Sequence, residues 1–332
     1  LDRQARLISL KLLTVTKAGE RALLLYQPGI DFIAAFFGCL YAGVIAVPAY
    51  PPHPNRPMPR LNSIIRDCKA DVVLTSGDLY SNMQKRIDKE PLLGEMKWIV
   101  TDDLQGFNES DWTYPDITKE SIAFLQYTSG STSAPKGVMV THGNLLHNER
   151  MIKEAYNHCE KDIFVGWLPL FHDMGLIGNV LQTIYLGTHC IMMPPAAFLQ
   201  KPYRWLKAIS DYRAHTSGGP NFAYDLCVKT ITEEQMETLD LSCWRIAFSG
   251  AEPVRSSTLE KFANKFSRCG FSSKAYYPCY GLAEATLFVS GLIRNSFPNV
   301  QTLNAEMFEK NRIVNAAKED TNAVSVVGCG RT

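Results

Sequence analysis

Gln126-Tyr127-Thr128-Ser129-Gly130-Ser131-Thr132-Ser133-Ala134-Pro135-Lys136-Gly137 lies between two apolar runs, Ile122–Leu125 and Val138-Met139-Val140. The runs read as strands and the polar stretch as the loop that joins them. From Thr128 to Lys136 there are five hydroxyl side chains, one glycine and one lysine. Hydroxyls and exposed backbone N–H groups are the donors that hold phosphate oxygens, and lysine adds a movable positive charge. A Walker A loop requires its lysine to be followed by Ser or Thr and then a helix. Here Gly137 and a strand follow, so the loop is a flap between two strands. A hydroxyl-rich hairpin turn without a ligand would account for four or five such residues, but poorly for twelve in this order.

Outward from the flap, short apolar runs alternate with longer segments of 3.6-residue period. Val72–Thr75, Lys97–Thr101, Ile163–Leu168, His189–Met193, Arg245–Phe248 and Leu287–Val289 read as strands. Leu61–Lys69, Met174–Leu186 (closed by Gly187) and Ser256–Phe266 read as helices. This repetition argues for an α/β fold: layered lobes with largely parallel sheets flanked by helices. Phe32–Val47 carries no charge over 16 residues. A membrane span needs roughly 20 apolar residues, so we expect a helix ending near Gly43 and a strand over Val44–Val47. Pro48–Pro59 holds six prolines, which predicts a stiff crossing loop, with an SH3-type ligand as the weaker reading. Residues 295–322 are polar and poorly periodic and are expected to be an insertion or a long surface connection.

Composition narrows the class of protein. The 332 residues carry 34 Lys plus Arg against 33 Asp plus Glu, a net charge of +1, and 46% are hydrophobic. That balance excludes a disordered chain and argues against a nucleic-acid or anionic-membrane surface. The nine cysteines are odd in number and form no CxxC pair, and the seven histidines show no HExxH spacing. Reduced thiols in a cytoplasmic protein are therefore expected, with no disulfide framework or zinc knuckle.

Tyr127–Gly137 resembles the signature of the AMP-forming adenylate synthetases: acyl-CoA synthetases, luciferases and nonribosomal adenylation domains. Three further segments follow in the order that family uses. Pro169-Leu170-Phe171-His172-Asp173-Met174-Gly175 is similar to its acyl-pocket segment. Ser249-Gly250-Ala251-Glu252-Pro253 is similar to its adenine-side loop, and Tyr280-Gly281-Leu282-Ala283-Glu284 to its second nucleotide motif, usually YGxTE. Within the superfamily, Pro169–Gly178, the Ser249–Val254 loop, Tyr280–Ser290 with Ala283 in place of Thr, and Val47–Pro52 most resemble fatty acyl-AMP ligases.

The resemblance implies an α/β N-terminal domain of an adenylate-forming enzyme over residues 1–294, built of two lobes. It implies an insertion-like segment over 295–322, the start of a β-rich third lobe over 323–332, and a C-terminal domain with a further catalytic Lys outside this chain. The expected reaction is ATP-dependent activation of a fatty acid to acyl-adenylate, with transfer to the phosphopantetheine thiol of an acyl carrier protein. ATP and Mg²⁺ are the expected cofactors.

By the same resemblance, Thr128, Ser129, Gly130, Ser131, Thr132 and Lys136 would hold the triphosphate. Gly250, Ala251, Glu252, Pro253, Tyr280, Gly281, Leu282 and Ala283 would surround the adenine side. Glu284, with the Thr128 hydroxyl, would bind Mg²⁺, so Lys136, Thr128 and Glu284 form the expected catalytic set. His172, Asp173, Met174 and Phe222 would border the acyl site, with Leu176, Ile177 and Tyr224 as further candidate walls. Singly, each of these residues has an ordinary reading: a solvated carboxylate for Glu284, a core aromatic for Tyr280, a satisfied histidine for His172. Two other functions compete: an acyl-CoA synthetase, and a non-catalytic acyl- or nucleotide-binding module. Residues 1–332 alone are expected to be inactive or strongly impaired.

Overall fold

The computed structural model describes residues 1–52, 57–87, 89–128, 135–317 and 319–330. The chain divides into two compact units, Leu1–His147 with Pro169–Leu176, and Asn148–Leu168 with Ile177–Thr332. Each is built on its own six-stranded sheet.

The first unit contains β1 (Arg21–Leu25), β2 (Ile45–Ala49), β3 (Val72–Thr75), β4 (Lys97–Val100), β5 (Ile122–Thr128) and β6 (Lys136–Thr141), in the spatial order β4-β3-β1-β2-β5-β6. All pairs are parallel except β5 with β6. Parallel strands are covered on both faces, which is why β3 reads Val-Val-Leu-Thr and is buried at every position. The uncharged stretch divides as expected into a helix, Ile30–Tyr41, and the buried strand β2. Among the described residues, no helix is long and apolar enough to cross a membrane.

β2 runs two residues into the stretch expected to be a proline-rich loop and includes Pro48, opposite Leu24. Ile45 N donates toward β1, to Glu20 O, and alternation along the strand turns position 48 toward β5. There β5 pairs with β2 only at Ala46↔Phe124, so no partner requires the N–H that proline lacks. The helix beyond starts at Pro59, where the missing N–H costs nothing, and ends at Cys68.

The second unit contains β7 (Phe164–Gly166), β8 (Cys190–Met192), β9 (Thr216–Gly219), β10 (Ile246–Ser249), β11 (Tyr276–Gly281) and β12 (Phe288–Gly291), in the order β12-β11-β10-β9-β7-β8. Only β11 and β12 are antiparallel. An aromatic cluster fills the space beside this sheet. Trp205, Tyr224, Trp244 and Phe262 are fully buried, with ring centroids 5.1–6.3 Å apart in the pairs around Tyr224. β13 (Val300–Asn304) and β14 (Ala323–Val327) form a separate antiparallel pair. The polar segment 295–322 therefore contributes β13 and the short helix Ala305–Glu309. The helix expected over Met174–Leu186 forms, but a π-helical stretch, Leu176–Leu181, interrupts its α-helical ends.

His158 gives the second unit a specific acid sensitivity. It is 4% exposed, its Nε2 lies 2.9 Å from Thr216 Oγ1, and its Nδ1 has no hydrogen-bond partner. Burial drives its pKa down to about 4, against the pull of Asp162 and with the help of Arg294 and Arg245. A folded pKa below the unfolded value of about 6.5 means that the stability is fully present above pH ~6.5. It is lost as pH falls from there toward 4. Urea unfolding at pH 5 should show about 2 kcal/mol less stability from this group than at pH 7. His158→Gln should flatten that slope; an unchanged slope would remove His158 as its source.

Candidate active site

The candidate residues fall in two groups, one in each unit. In the first, β5 and β6 form the hairpin expected around the flap, and Thr128 and Lys136 are register partners at its open end. Ser129, Gly130, Ser131 and Thr132 lie outside the described residues. Lys136 is exposed, and neither its ammonium nor the Thr128 hydroxyl has a partner among the described residues. The base of the hairpin is braced by the Tyr127 hydroxyl, which donates to Asp67 Oδ2 at 2.5 Å. Burial and that bond to a carboxylate push the Tyr127 pKa up, so it stays a donor.

Gln126, one residue before, donates through Nε2 to Phe171 O at 2.9 Å. This fixes the expected acyl segment against β5. The Phe171 ring packs on Tyr50 and His172, with centroids 5.2 and 4.7 Å away. His172 precedes the short helix Asp173–Gly175, and Asp173 Oδ1 accepts from Met174 N at 2.7 Å. The imidazole keeps one open side, yet crowding by its neighbours lowers its pKa; Asp173 opposes the shift and Arg60 adds to it. It is therefore neutral at pH 7. Met174 is half-buried, whereas Leu176 is fully enclosed.

In the second unit the candidate segments follow three adjacent parallel strands. Phe222 comes after β9, Gly250-Ala251-Glu252-Pro253 after β10, and Tyr280-Gly281 at the end of β11. The carboxyl ends of parallel strands are where open α/β sheets place ligands. The β10 loop turns through Ala251 at φ +66°. Its Glu252 carboxylate accepts from Phe222 N at 2.7 Å, at the start of the helix Asn221–Thr230, and Asn221 Oδ1 accepts from Arg255 N at 3.0 Å. Glu252 thus braces the loop, a role its position in the motif does not reveal.

Phe222 is 41% exposed and meets Trp167 edge-on at 6.2 Å. Tyr224 and Ile177 are fully buried, and Tyr224 donates its hydroxyl to Phe248 O at 2.8 Å. Tyr224 therefore packs as a core aromatic.

Tyr280 is 54% exposed and stacks on no other ring among the described residues, leaving a flat face free. Gly281 has no room for a side chain, because a Cβ there would sit 2.0 Å from Leu287 O. Leu282 leads into the short 3₁₀ turn Ala283–Ala285, in which Ala283 is buried and Glu284 exposed. The Glu284 carboxylate takes no hydrogen bond or ion pair from the described residues. No group of three or more His, Cys, Asp or Glu that could enclose a metal occurs among the described residues. An exposed, unneutralised carboxylate suits Mg²⁺, which keeps few protein ligands and takes the rest from phosphates and water. All nine cysteines are free thiols.

With this geometry in view, the chain belongs to the AMP-binding enzyme family, whose model matches residues 1–312. It is similar to the medium-chain-fatty-acid–[acyl-carrier-protein] ligase JamA of Moorena producens, at 48% identity over 99% of this chain and 57% of that protein. It is also similar to the long-chain-fatty-acid–AMP ligase FadD32 of Mycolicibacterium smegmatis, at 36% identity over 98% of this chain and 52% of the relative. Among solved structures, the fatty acyl-adenylate ligase of L. pneumophila in complex with acyl adenylate and pyrophosphate superimposes with a TM-score of 0.92. The identity is 44%, over 99% of this chain and 57% of that one. The adenylation domain of a keto acid-selecting nonribosomal module shares the fold, with a TM-score of 0.88 at 22% identity. The chain spans about half the length of the curated relatives it matches.

Proposed function

We propose that this chain is the nucleotide- and acyl-binding part of an ATP-dependent ligase that converts a fatty acid to acyl-adenylate, releases pyrophosphate and passes the acyl group to an acyl carrier protein. The observation that carries the reading is that each unit presents groups suited to a metal–nucleotide that have no partner among the described residues, set on braced supports. Lys136 and the Thr128 hydroxyl stand at the mouth of a hairpin, and Glu284 and the open face of Tyr280 stand beyond the end of one parallel sheet. The names of the relatives supply the acyl and carrier parts of the reading.

Two anions must meet in this reaction, so catalysis consists mainly of positioning and charge stabilisation. Lys136 and Thr128, with the flap residues Ser129–Thr132, would donate to the triphosphate. Tyr280 would lie against the adenine, between the loops Gly250–Pro253 and Gly281–Ala283. Glu284 would be a ligand of Mg²⁺, which when bound offsets charge on the phosphate oxygens. The fatty carboxylate is itself the nucleophile and needs no general base. The His172 imidazole would border it without binding it as a counter-ion, with Asp173 and Met174 beside it in the same segment; Phe222 would be an acyl-site residue of the second unit. We place the protein in the cytoplasm on the strength of its free thiols, and read residues 295–322 as an insertion following a domain of residues 1–294.

The test uses the full-length protein with ATP, Mg²⁺ and a series of fatty acids. Acyl-AMP should accumulate, and the acyl group should move to a phosphopantetheinylated carrier at least about tenfold faster than to coenzyme A, a difference of ~1.4 kcal/mol in barrier. Efficient transfer to coenzyme A would make it an acyl-CoA synthetase. Absence of any acyl-AMP would leave a binding module.

A further inference from the structure

We propose that Asn148 is a positioning residue for Glu284: its carboxamide holds the turn 282–287 in the one conformation from which Glu284 meets the metal-bound nucleotide. The inference rests on the reading of Glu284 as a metal ligand. Asn148 belongs to the helix His142–Tyr156 and is 3% exposed. Its Oδ1 accepts from Phe288 N at 3.0 Å, and its Nδ2 donates to Phe288 O at 3.0 Å and to Ala285 O at 3.4 Å. One side chain therefore grips the backbone on both sides of Thr286, immediately after Glu284.

Thr286 is where the turn needs holding. Its φ of +74° and ψ of −61° place a β-branched residue in a sparsely populated region. Leu287 N donates to Ala285 O at 2.9 Å, closing a γ-turn around it. Such γ-turns are rare and strained, and a residue of this kind persists only where its surroundings over-determine it. The other end of the turn is fixed by Leu282 N donating to Leu287 O at 3.0 Å and by the close approach at Gly281. The 3₁₀ turn itself is closed by Ala285 N donating to Leu282 O at 3.0 Å and Thr286 N donating to Ala283 O at 2.8 Å, and Asn148 is the side chain that ties its Ala285 end to the helix. If the amide is removed, Thr286 can relax to negative φ, and the peptide carrying Glu284 swings with it.

A carboxamide suits the position because it offers a donor and an acceptor at once. Aspartate has the same shape and can accept from Phe288 N, but it opposes the two carbonyl oxygens. Asn148→Asp in the full-length protein should raise the Mg²⁺ concentration for half-maximal ATP–pyrophosphate exchange by about tenfold, the lower part of the range that release of 1–3 kcal/mol of backbone strain would produce. Mn²⁺ titration of the ATP complex, followed by electron paramagnetic resonance, should show the same weakening without turnover. Thr286→Gly removes the strain, so adding it to Asn148→Asp should restore most of the metal response. A merely structural role predicts that the double variant is worse than either single one.

Glu284→Gln, run in parallel, separates the two claims. If it leaves the metal requirement unchanged, the reading of Glu284 falls. If it shifts the requirement and Asn148→Asp does not, the positioning role alone falls. Should Asn148→Asp fail to fold, Asn148→Gln keeps both hydrogen-bonding groups on a longer arm and should also raise the metal requirement; an unchanged requirement overturns the proposal.

Discussion

Glu284→Gln should lower the rate of acyl-adenylate formation by the full-length protein by about 10²- to 10³-fold, the usual cost of removing one aligned charge-stabilising group. Glutamine matches glutamate in size and hydrogen-bonding reach but cannot offer an anionic oxygen to Mg²⁺, so the loss should be partly recovered at high metal concentration. Stability should change by less than about 0.5 kcal/mol, because the carboxylate is exposed and bonded to none of the described residues. This separation is diagnostic. A residue that held the fold would lower the melting temperature, whereas one that holds a ligand lowers only turnover and metal response. A rate within threefold of the parent at every Mg²⁺ concentration would remove Glu284 from the catalytic set.

Gly218→Ala should be the most damaging small change in the second unit. Gly218 lies in β9, between β10 and β7, opposite Phe248. An added Cβ would sit 2.1 Å from Phe248 O and 2.5 Å from the Phe248 ring. The first of these is a backbone oxygen of the β10 strand and cannot move without parting β9 from β10. Over-packing usually costs about 1–3 kcal/mol, and a backbone clash in a central strand belongs at or above the upper end. With unfolding slopes of about 1–3 kcal/mol/M, the urea midpoint should fall by roughly 1 M or more. Gly29→Ala is the control: nothing lies within 4 Å of its Cβ position, and its backbone is extended at φ 169°. An equal effect at both positions would refute the steric argument.

The elements that sequence reading placed well are those whose burial follows from their own composition. Val72–Thr75 is buried at every position because a parallel strand is covered on both faces, and Ser256–Phe266 forms the helix its periodicity predicts. Boundaries were less legible where a neighbour decides them. Pro48 joins β2 because β5, which bridges that side at Ala46, leaves position 48 without a partner, a fact about pairing that no local propensity carries. The π-helical stretch within Met174–Leu186 was likewise invisible, since the same apolar spacing serves either kind of helix.

The same division applies to the candidate site. Its proposed chemistry is legible in local motifs: hydroxyls and a lysine between two strands, a flat aromatic, a carboxylate after a glycine, each contiguous in the chain. The sequence by itself also determined the family, because four such motifs in order cannot be read as loops that merely happen to be polar. How those groups are supported emerges from the fold alone. Asn148 bonds the turn at Ala285 across 137 positions, and Gln126 anchors Phe171 across 45. Glu252 accepts from Phe222 N in the first turn of a helix, across 30 positions, and Tyr224 turns into the aromatic core. The reason is physical: a ligand-binding group is recognised by its own functional group, whereas a supporting group acts through a backbone atom brought to it by the fold, and a backbone atom leaves no mark in the sequence.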